Sequence, residues 1–118
     1  MGFIEEHKLS LTTNGSGAAS GSTSVIQNGT IKGFSIDYDA ATAGCVTAFS
    51  VNGVTPLSIT GNTDIFGNMS QQVLNSSGTA VTNAHSDVVI ANSAISVSMT
   101  GGGATKTHSI VIYVERGN

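Results

Sequence analysis

The last quarter of the chain constrains the fold more than any other stretch. Residues 95–100 alternate apolar and hydroxyl side chains, which is the pattern of a strand with one buried face. Residues 110–114 are Ile-Val-Ile-Tyr-Val, the densest β-branched run in the chain, and they indicate a central strand covered on both sides. The glycine-rich stretch 101–105 can reverse the chain between them. We therefore predict a hairpin over residues 93–115.

The composition favours one folded β-domain that spans residues 1–118. Apolar residues make up 39% and charged residues 9% of the chain, while Gly, Ser, Thr and Asn together approach half. Disordered chains are usually rich in charge and poor in β-branched residues, and this chain is the opposite. A folded domain with uncharged polar surfaces and many turns is the interpretation that fits.

The few charges exclude one class of function. The formal net charge is −3, and the cations are dispersed along the chain at Lys8, Lys32, Lys106 and Arg116. Nucleic-acid binding needs clustered cations, so we expect no nucleic-acid partner. No apolar run reaches the length of a membrane span. Residues 1–8 contain two acids where a secretory signal has a basic segment and an apolar core, so we expect no signal peptide here: either the protein is used without export, or the sequence begins at a mature terminus.

The first half of the chain contains several strand and turn patterns. Residues 7–12 alternate as a strand, and residues 13–23 form a Gly/Ser-rich segment that we predict to be a flexible loop or arm. Asn28-Gly29 predicts a tight type I′ turn between residues 24–27 and the strand that begins at Thr30. The apolar positions change face near Gly33, which predicts a β-bulge there.

The second half continues in the same style. Residues 45–51 predict a strand that ends in an Asn52-Gly53 turn. Pro56 lacks the N–H that the pairing requires, so the pairing must stop by Thr55 or that edge must face outward. Residues 57–59 predict a further short strand.

Three later stretches complete the pattern. Residues 68–74 predict either a short strand or a single helical turn, Ser77-Gly78 predicts a turn, and Val88-Val89-Ile90 predicts a brief buried run. About seven to nine short strands separated by turns favour an all-β fold. We predict an antiparallel β-sandwich, of which the jelly roll is one form.

Asp37, Tyr38 and Asp39 form the one local group that could contact a ligand. Two acids that flank an aromatic residue occur in some calcium and sugar sites, but calcium needs six or more oxygen ligands. Asp64 and Asp87 could contribute only if the fold brings them close. Solvated turn acids are the simpler interpretation, and the sequence predicts no metal and no cofactor.

The histidines and the single cysteine give no pattern of a catalytic site. His108 shares a predicted face with Ile110 and Ile112, and His7 shares one with Leu9. We therefore expect each histidine to lie at a strand end and to have a local hydrogen-bond partner. We expect Cys45 to be buried and to pack as a small apolar side chain. Since no nucleophile has an evident activating base, we expect a protein that is not an enzyme.

The chain as a whole resembles the small auxiliary virion proteins of tailed bacteriophages, of the capsid decoration or cement class. The features that carry the resemblance are the Gly/Ser arm at 15–22, the strands rich in Gly, Ser, Thr and Asn, the few charges, the one Pro, and the apolar final strand at 110–114. The resemblance implies a homotrimeric β-sandwich that binds the major capsid protein or another virion protein. It also implies a location in the virion, after synthesis in the host cytoplasm.

The alternative from the sequence is a carbohydrate- or receptor-binding β-sandwich. Sugar sites commonly present exposed aromatic rings beside polar side chains. The chain has no Trp, two Tyr and four Phe, which disfavours this function. Tyr38, between Asp37 and Asp39, is its one local candidate for such a contact.

Overall fold

The computed structural model describes residues 3–74, 77–78 and 80–116. Within these residues all the regular secondary structure is extended, and the predicted antiparallel β-sandwich is confirmed. The strands are β1 Phe3–Thr12, β2 Ala19–Ser22, β3 Ile26–Asp37, β4 Val46–Val51, β5 Val54–Thr60, β6 Ile65–Gly67, β7 Ser70–Leu74, β8 Ala80–Ser93, β9 Ser96–Thr100 and β10 Thr107–Arg116.

The strands form two sheets with jelly-roll connectivity. Sheet A has the order β1-β10-β3-β8-β7, with β6 paired to β3, and sheet B has the order β2-β9-β4-β5. The nested antiparallel pairs β1–β10, β2–β9, β3–β8 and β4–β5 are those of a two-sheet jelly roll. The short strands β6 and β7 are inserted between β5 and β8 and extend sheet A.

The core lies between the two sheets and is filled by alternate residues of their strands. Phe34 of sheet A and Phe49 of sheet B meet there, with ring centroids 5.3 Å apart. Each large apolar side chain buried in this way contributes about 1.5–3 kcal/mol. Cys45 is fully buried in the same core, as predicted, and burial raises the pKa of its thiol.

The predicted terminal hairpin is wrong, although both of its strands exist. β9 pairs with β2 and β4 in sheet B, whereas β10 pairs with β1 and β3 in sheet A. The glycine-rich segment between them therefore crosses from one sheet to the other. The central position of β10 is confirmed, but its outward side chains Val111 and Tyr113 are only half-buried, so its outer face is partly covered.

The predicted turn at Asn28-Gly29 is also wrong, because both residues lie inside the long strand β3. Gly29 pairs with Ile90 of β8. A Cβ built on Gly29 would lie 2.8 Å from Cγ1 of Val114, so the glycine permits a close approach of β10 rather than a turn. Pairing along a full strand has outweighed the local turn preference.

The predicted bulge near Gly33 is confirmed. Tyr113 of β10 pairs with Gly33, but the next residue, Val114, pairs with Ile31, so one residue of β3 is extra. The bulge explains the change of face in the sequence, since it leaves both Ile31 and Phe34 buried in the core.

The Asn52-Gly53 turn forms as predicted and joins β4 to β5. Both residues have positive φ, 56° and 79°, as a type I′ turn requires. The conflict at Pro56 is resolved by a second bulge, in which Thr55 and Pro56 face the single residue Ser50 and pairing resumes beyond them. β5 is moreover an edge strand of sheet B, where a missing N–H is tolerated.

The structure also bears on four further predictions for individual segments. Residues 13–23 contain the strand β2, paired to β9, rather than only a loop; the mobility of this segment stays a prediction. Residues 68–74 contain the strand β7, which settles the choice between strand and helical turn. Val89 is exposed, so the run at 88–90 alternates instead of being wholly buried. The turn predicted at Ser77-Gly78 is confirmed, since the chain turns there and Gly78 has a positive φ of 81°.

Candidate functional site

His108 is fully buried on the inner face of β10 and is held by the main chain. Its Nδ1 accepts a hydrogen bond of 3.0 Å from the Asp39 N–H. Its Nε2 lies 2.8 Å from the Gly102 carbonyl oxygen, so Nε2 carries the hydrogen and donates it. This arrangement is that of a neutral imidazole that fastens two loops together. The prediction of a strand-end histidine with a local partner is confirmed.

Tyr38, the aromatic member of the predicted ligand group, has structural partners. Its N–H donates to Oδ1 of Asp64 at 2.8 Å, and its hydroxyl lies 3.2 Å from Oγ1 of the buried Thr47. Its ring meets the His108 ring edge-on, with centroids 5.9 Å apart. Burial raises the pKa of Tyr38, against a smaller opposing effect of the Thr47 hydrogen bond. These contacts place Tyr38 at the edge of the core.

The acids of the predicted group do not converge on one point. Asp37 and Asp39 are exposed, and Asp64 reaches the Tyr38 main chain, but Asp87 lies on β8, where its carboxylate is 3.2 Å from Nζ of Lys32. In the described ranges no three His, Cys, Asp or Glu side chains are grouped as metal ligands. Ligand contact by residues 37–39 stays a prediction.

The outer face of sheet B consists mostly of hydroxyl side chains, and we call it the hydroxyl face. Its strands β2, β4, β5 and β9, all within the described residues, contain no charged residue and no histidine. The cross-strand pairing places its members side by side across the sheet. They are Ser20, Ser22, Val46, Ala48, Ser50, Ser58, Thr60, Ser96, Ser98 and Thr100.

The outer face of sheet A mixes charged, apolar and aromatic side chains, and we call it the mixed face. One row across the sheet is Ile4, Glu115, Thr30 and Val89, of which Ile4 and Val89 are more than half exposed. A second row is Lys8, Val111, Ser35 and Phe66.

Ion pairs also lie on the mixed face. Nζ of Lys32 is 3.2 Å from Oδ2 of Asp87 and 3.8 Å from Oε1 of Glu115, and Lys8 lies 3.7 Å from Glu6. Exposed pairs of this kind stabilise a fold by about 0–1 kcal/mol. They chiefly set the local charge of the face.

Sequence reasoning missed the aromatic pair on the mixed face. Phe66 is 73% exposed, and its ring centroid lies 5.7 Å from that of Tyr113. The outward position of Tyr113 follows from its place between the buried residues Ile112 and Val114. Phe66, in contrast, reaches this ring through the pairing of β6 with β3, which no local pattern indicates.

A cleft of about 660 Å³ lies on the same side of sheet A, and Asn68 in its lining follows Phe66 by two residues along the chain. Its lining residues are Lys32, Asn68, Met69, Ser70, Ser86 and Asp87. A Cβ built on Gly33 would lie 3.1 Å from the Gly67 carbonyl oxygen and 4.0 Å from both Oδ1 of Asn68 and the Tyr113 ring, so this lining residue of the cleft lies close to the ring.

Comparison with protein-family models, with curated proteins and with solved structures gives no match for this chain. In the described residues no helix is long and apolar enough to cross a membrane.

Proposed function

We propose that the protein is a non-enzymatic structural component of a virion, which decorates or cements a phage capsid as a homotrimer. The observation that carries the proposal is the hydroxyl face. It extends across all four strands of sheet B without a charged side chain. We assign it as the surface that lies on the capsid shell.

An uncharged hydroxyl surface is suited to attachment. Burying a charge against another protein costs several kcal/mol unless it finds a partner, and this face has no charge to bury. Serine and threonine hydroxyls both donate and accept hydrogen bonds and can rotate to suit a partner or a bridging water. Such contacts are modest for each copy, but three linked copies strengthen attachment through avidity.

Three side chains of a type that often serves in catalysis are held in structural settings, which favours a non-enzymatic function. Both ring nitrogens of His108 are engaged by the main chain. Cys45 is buried with a raised pKa, which disfavours the reactive thiolate. His7 lies 3.3 Å from Oε1 of Glu5, which also accepts a hydrogen bond from Arg116.

The test has two parts, which are the solution mass and the binding to shells. Light scattering on a sizing column should give three times the chain mass of 11.9 kDa. Empty shells assembled from the major capsid protein encoded in the same genome should carry the protein with them through a density gradient. A monomer at every concentration would contradict the trimer, and protein that stays at the top of the gradient would contradict the decoration function.

A further inference from the structure

We propose that the mixed face carries a binding site for a neutral saccharide, formed by the Phe66–Tyr113 pair and the cleft beside it. This site lies on sheet A, whereas the surface assigned to capsid attachment lies on sheet B. The inference therefore goes beyond the proposed function and does not depend on it.

The aromatic pair supplies the apolar half of the site. A pyranose ring presents a patch of C–H groups on one face, and such a patch packs well against an aromatic ring. Phe66 is 73% exposed although it is a large apolar side chain, and Tyr113 beside it is half-buried. Their ring planes are inclined by 55°, so together they form an angled wall rather than one flat surface.

The cleft supplies the polar half. The Asn68 amide offers both a donor and an acceptor, Ser70 and Ser86 offer hydroxyls, and buried Met69 contributes an apolar residue. A concave site with apolar contacts and a few convergent polar groups is the usual form of a small-molecule site. The Asn68 amide oxygen and the Tyr113 ring each lie 4.0 Å from the position that a Cβ on Gly33 would take, so the polar and apolar halves of the site are close to each other.

The local charges select against anionic sugars. Lys32 is the cation of the cleft, and its ammonium group is already shared by the carboxylates of Asp87 and Glu115. Glu6 lies next to Tyr113 across the strand pair β1–β10. Glu6 itself lies 3.7 Å from Lys8, so the two lysines and three carboxylates around the site leave a net charge of −1, which disfavours a sialic acid or a sugar phosphate. A neutral hexose or N-acetylhexosamine fits this field.

Amide-resolved NMR titration of ¹⁵N-labelled protein tests the proposal. The probes are maltotriose, cellotriose and chitotriose, each added to about 10 mM, since one ring contact with a few hydrogen bonds gives Kd values near the millimolar range. At least one should cause saturable shifts centred on Phe66, Asn68 and Tyr113. Sialyllactose, added in the same way, should bind at least tenfold more weakly than the best neutral probe.

A matched pair of variants shows whether saccharide binding depends on the Phe66 ring or changes with any Phe-to-Leu substitution on the surface. Phe66→Leu keeps an apolar side chain at an exposed position but removes the ring, and it should weaken binding at least tenfold. Phe3→Leu makes the same change at an exposed position of β1 that is remote from the cleft, and it should leave binding unchanged. The proposal is overturned if no neutral probe gives saturable shifts, if Phe66→Leu binds like the wild type, or if sialyllactose binds best.

Discussion

The two sheets of the sandwich differ more in their outer faces than in their inner ones. Both inner faces are mainly apolar, with His108 and Thr47 as buried polar members, and they meet at the Phe34–Phe49 contact. On the outside, the strands of sheet B carry only uncharged residues, mostly with hydroxyls, whereas sheet A carries acids, lysines and exposed aromatic rings. Packing of the core does not require this difference between the outer faces. The difference is the reason why we propose a different binding partner for each face.

The two sheets also differ in their content of ionisable side chains. Within the described residues, the ionisable side chains of the strands all belong to sheet A, including buried His108 and the Glu5–Arg116 pair. Sheet B should therefore contribute to stability by apolar packing and hydrogen bonds that are insensitive to pH. Sheet A should contribute terms that depend on protonation and on salt.

The largest loss of stability should follow from removing a core side chain of sheet B. Phe49→Ala removes a fully buried ring and should lower the free energy of unfolding by about 3–5 kcal/mol, measured by urea denaturation. Phe66→Ala on the mixed face is the control, and because that ring is exposed it should change stability by less than about 0.5 kcal/mol. Equal losses in the two variants would contradict the division between core and outer face.

The next largest loss of stability should follow from removing the buried imidazole of His108 in sheet A. His108→Ala leaves the Asp39 N–H and the Gly102 carbonyl without their partner and should cost about 2–4 kcal/mol in the same assay. His7→Ala, at a half-buried position of β1, should cost less than about 1 kcal/mol. A His108→Ala variant as stable as His7→Ala would show that the imidazole does not hold the loops together.

A smaller effect is expected where sheet B meets the loop that follows β3. Thr47→Val keeps the shape of the side chain but removes the hydroxyl that contacts the Tyr38 hydroxyl, and it should cost about 1 kcal/mol. Tyr38→Phe removes the other partner. The double variant should lose less stability than the two single losses added, because both changes remove one interaction. Strict additivity would argue against that hydrogen bond.

The smallest effect is a pH dependence that belongs to sheet A. Burial would raise the pKa of Glu5, but the hydrogen bonds from Arg116 and His7 outweigh it and hold that pKa below its ordinary range. The resulting stabilisation is fully present above the ordinary pKa of a glutamate, about 4.3, and is lost as the pH falls through the lower pKa of the folded state.

Urea denaturation of the wild type and of Glu5→Gln, repeated from neutral to acid pH, measures this term. The stability difference between the two proteins should shrink as the solution becomes acidic. A difference that stays constant with pH would contradict the assignment. The variant Ser98→Gln on the hydroxyl face should show no such change relative to the wild type.

Much of the fold could be predicted from alternation and turn chemistry, but the pairing of strands could not. The pattern at 95–100 correctly predicts a strand and its buried face. It does not specify the partner, because Val97 is equally well buried in a hairpin or in the opposite sheet. Asn52-Gly53 forms its turn because its flanking strands pair with each other, whereas Asn28-Gly29 lies inside β3 because both residues pair with β8.

The candidate surfaces were less accessible to prediction. That Ser96 and Ser98 face outward follows from their alternation with buried Val97 and Met99. Their assembly with Ser20 and Ser58 into one uncharged face depends on strand order, which local sequence does not encode. The same is true of the Phe66–Tyr113 pair, whose members are far apart in the chain.

The most direct test of the account is gradient co-sedimentation of two arginine variants with capsid shells. Ser98→Arg places a charge at the centre of the hydroxyl face, and Ser109→Arg makes the same change on the mixed face. We expect Ser109→Arg to travel with the shells like the wild type and Ser98→Arg to remain unbound, because its charge would have to be buried without a partner. Attachment of Ser98→Arg at wild-type level would contradict the assignment of the hydroxyl face.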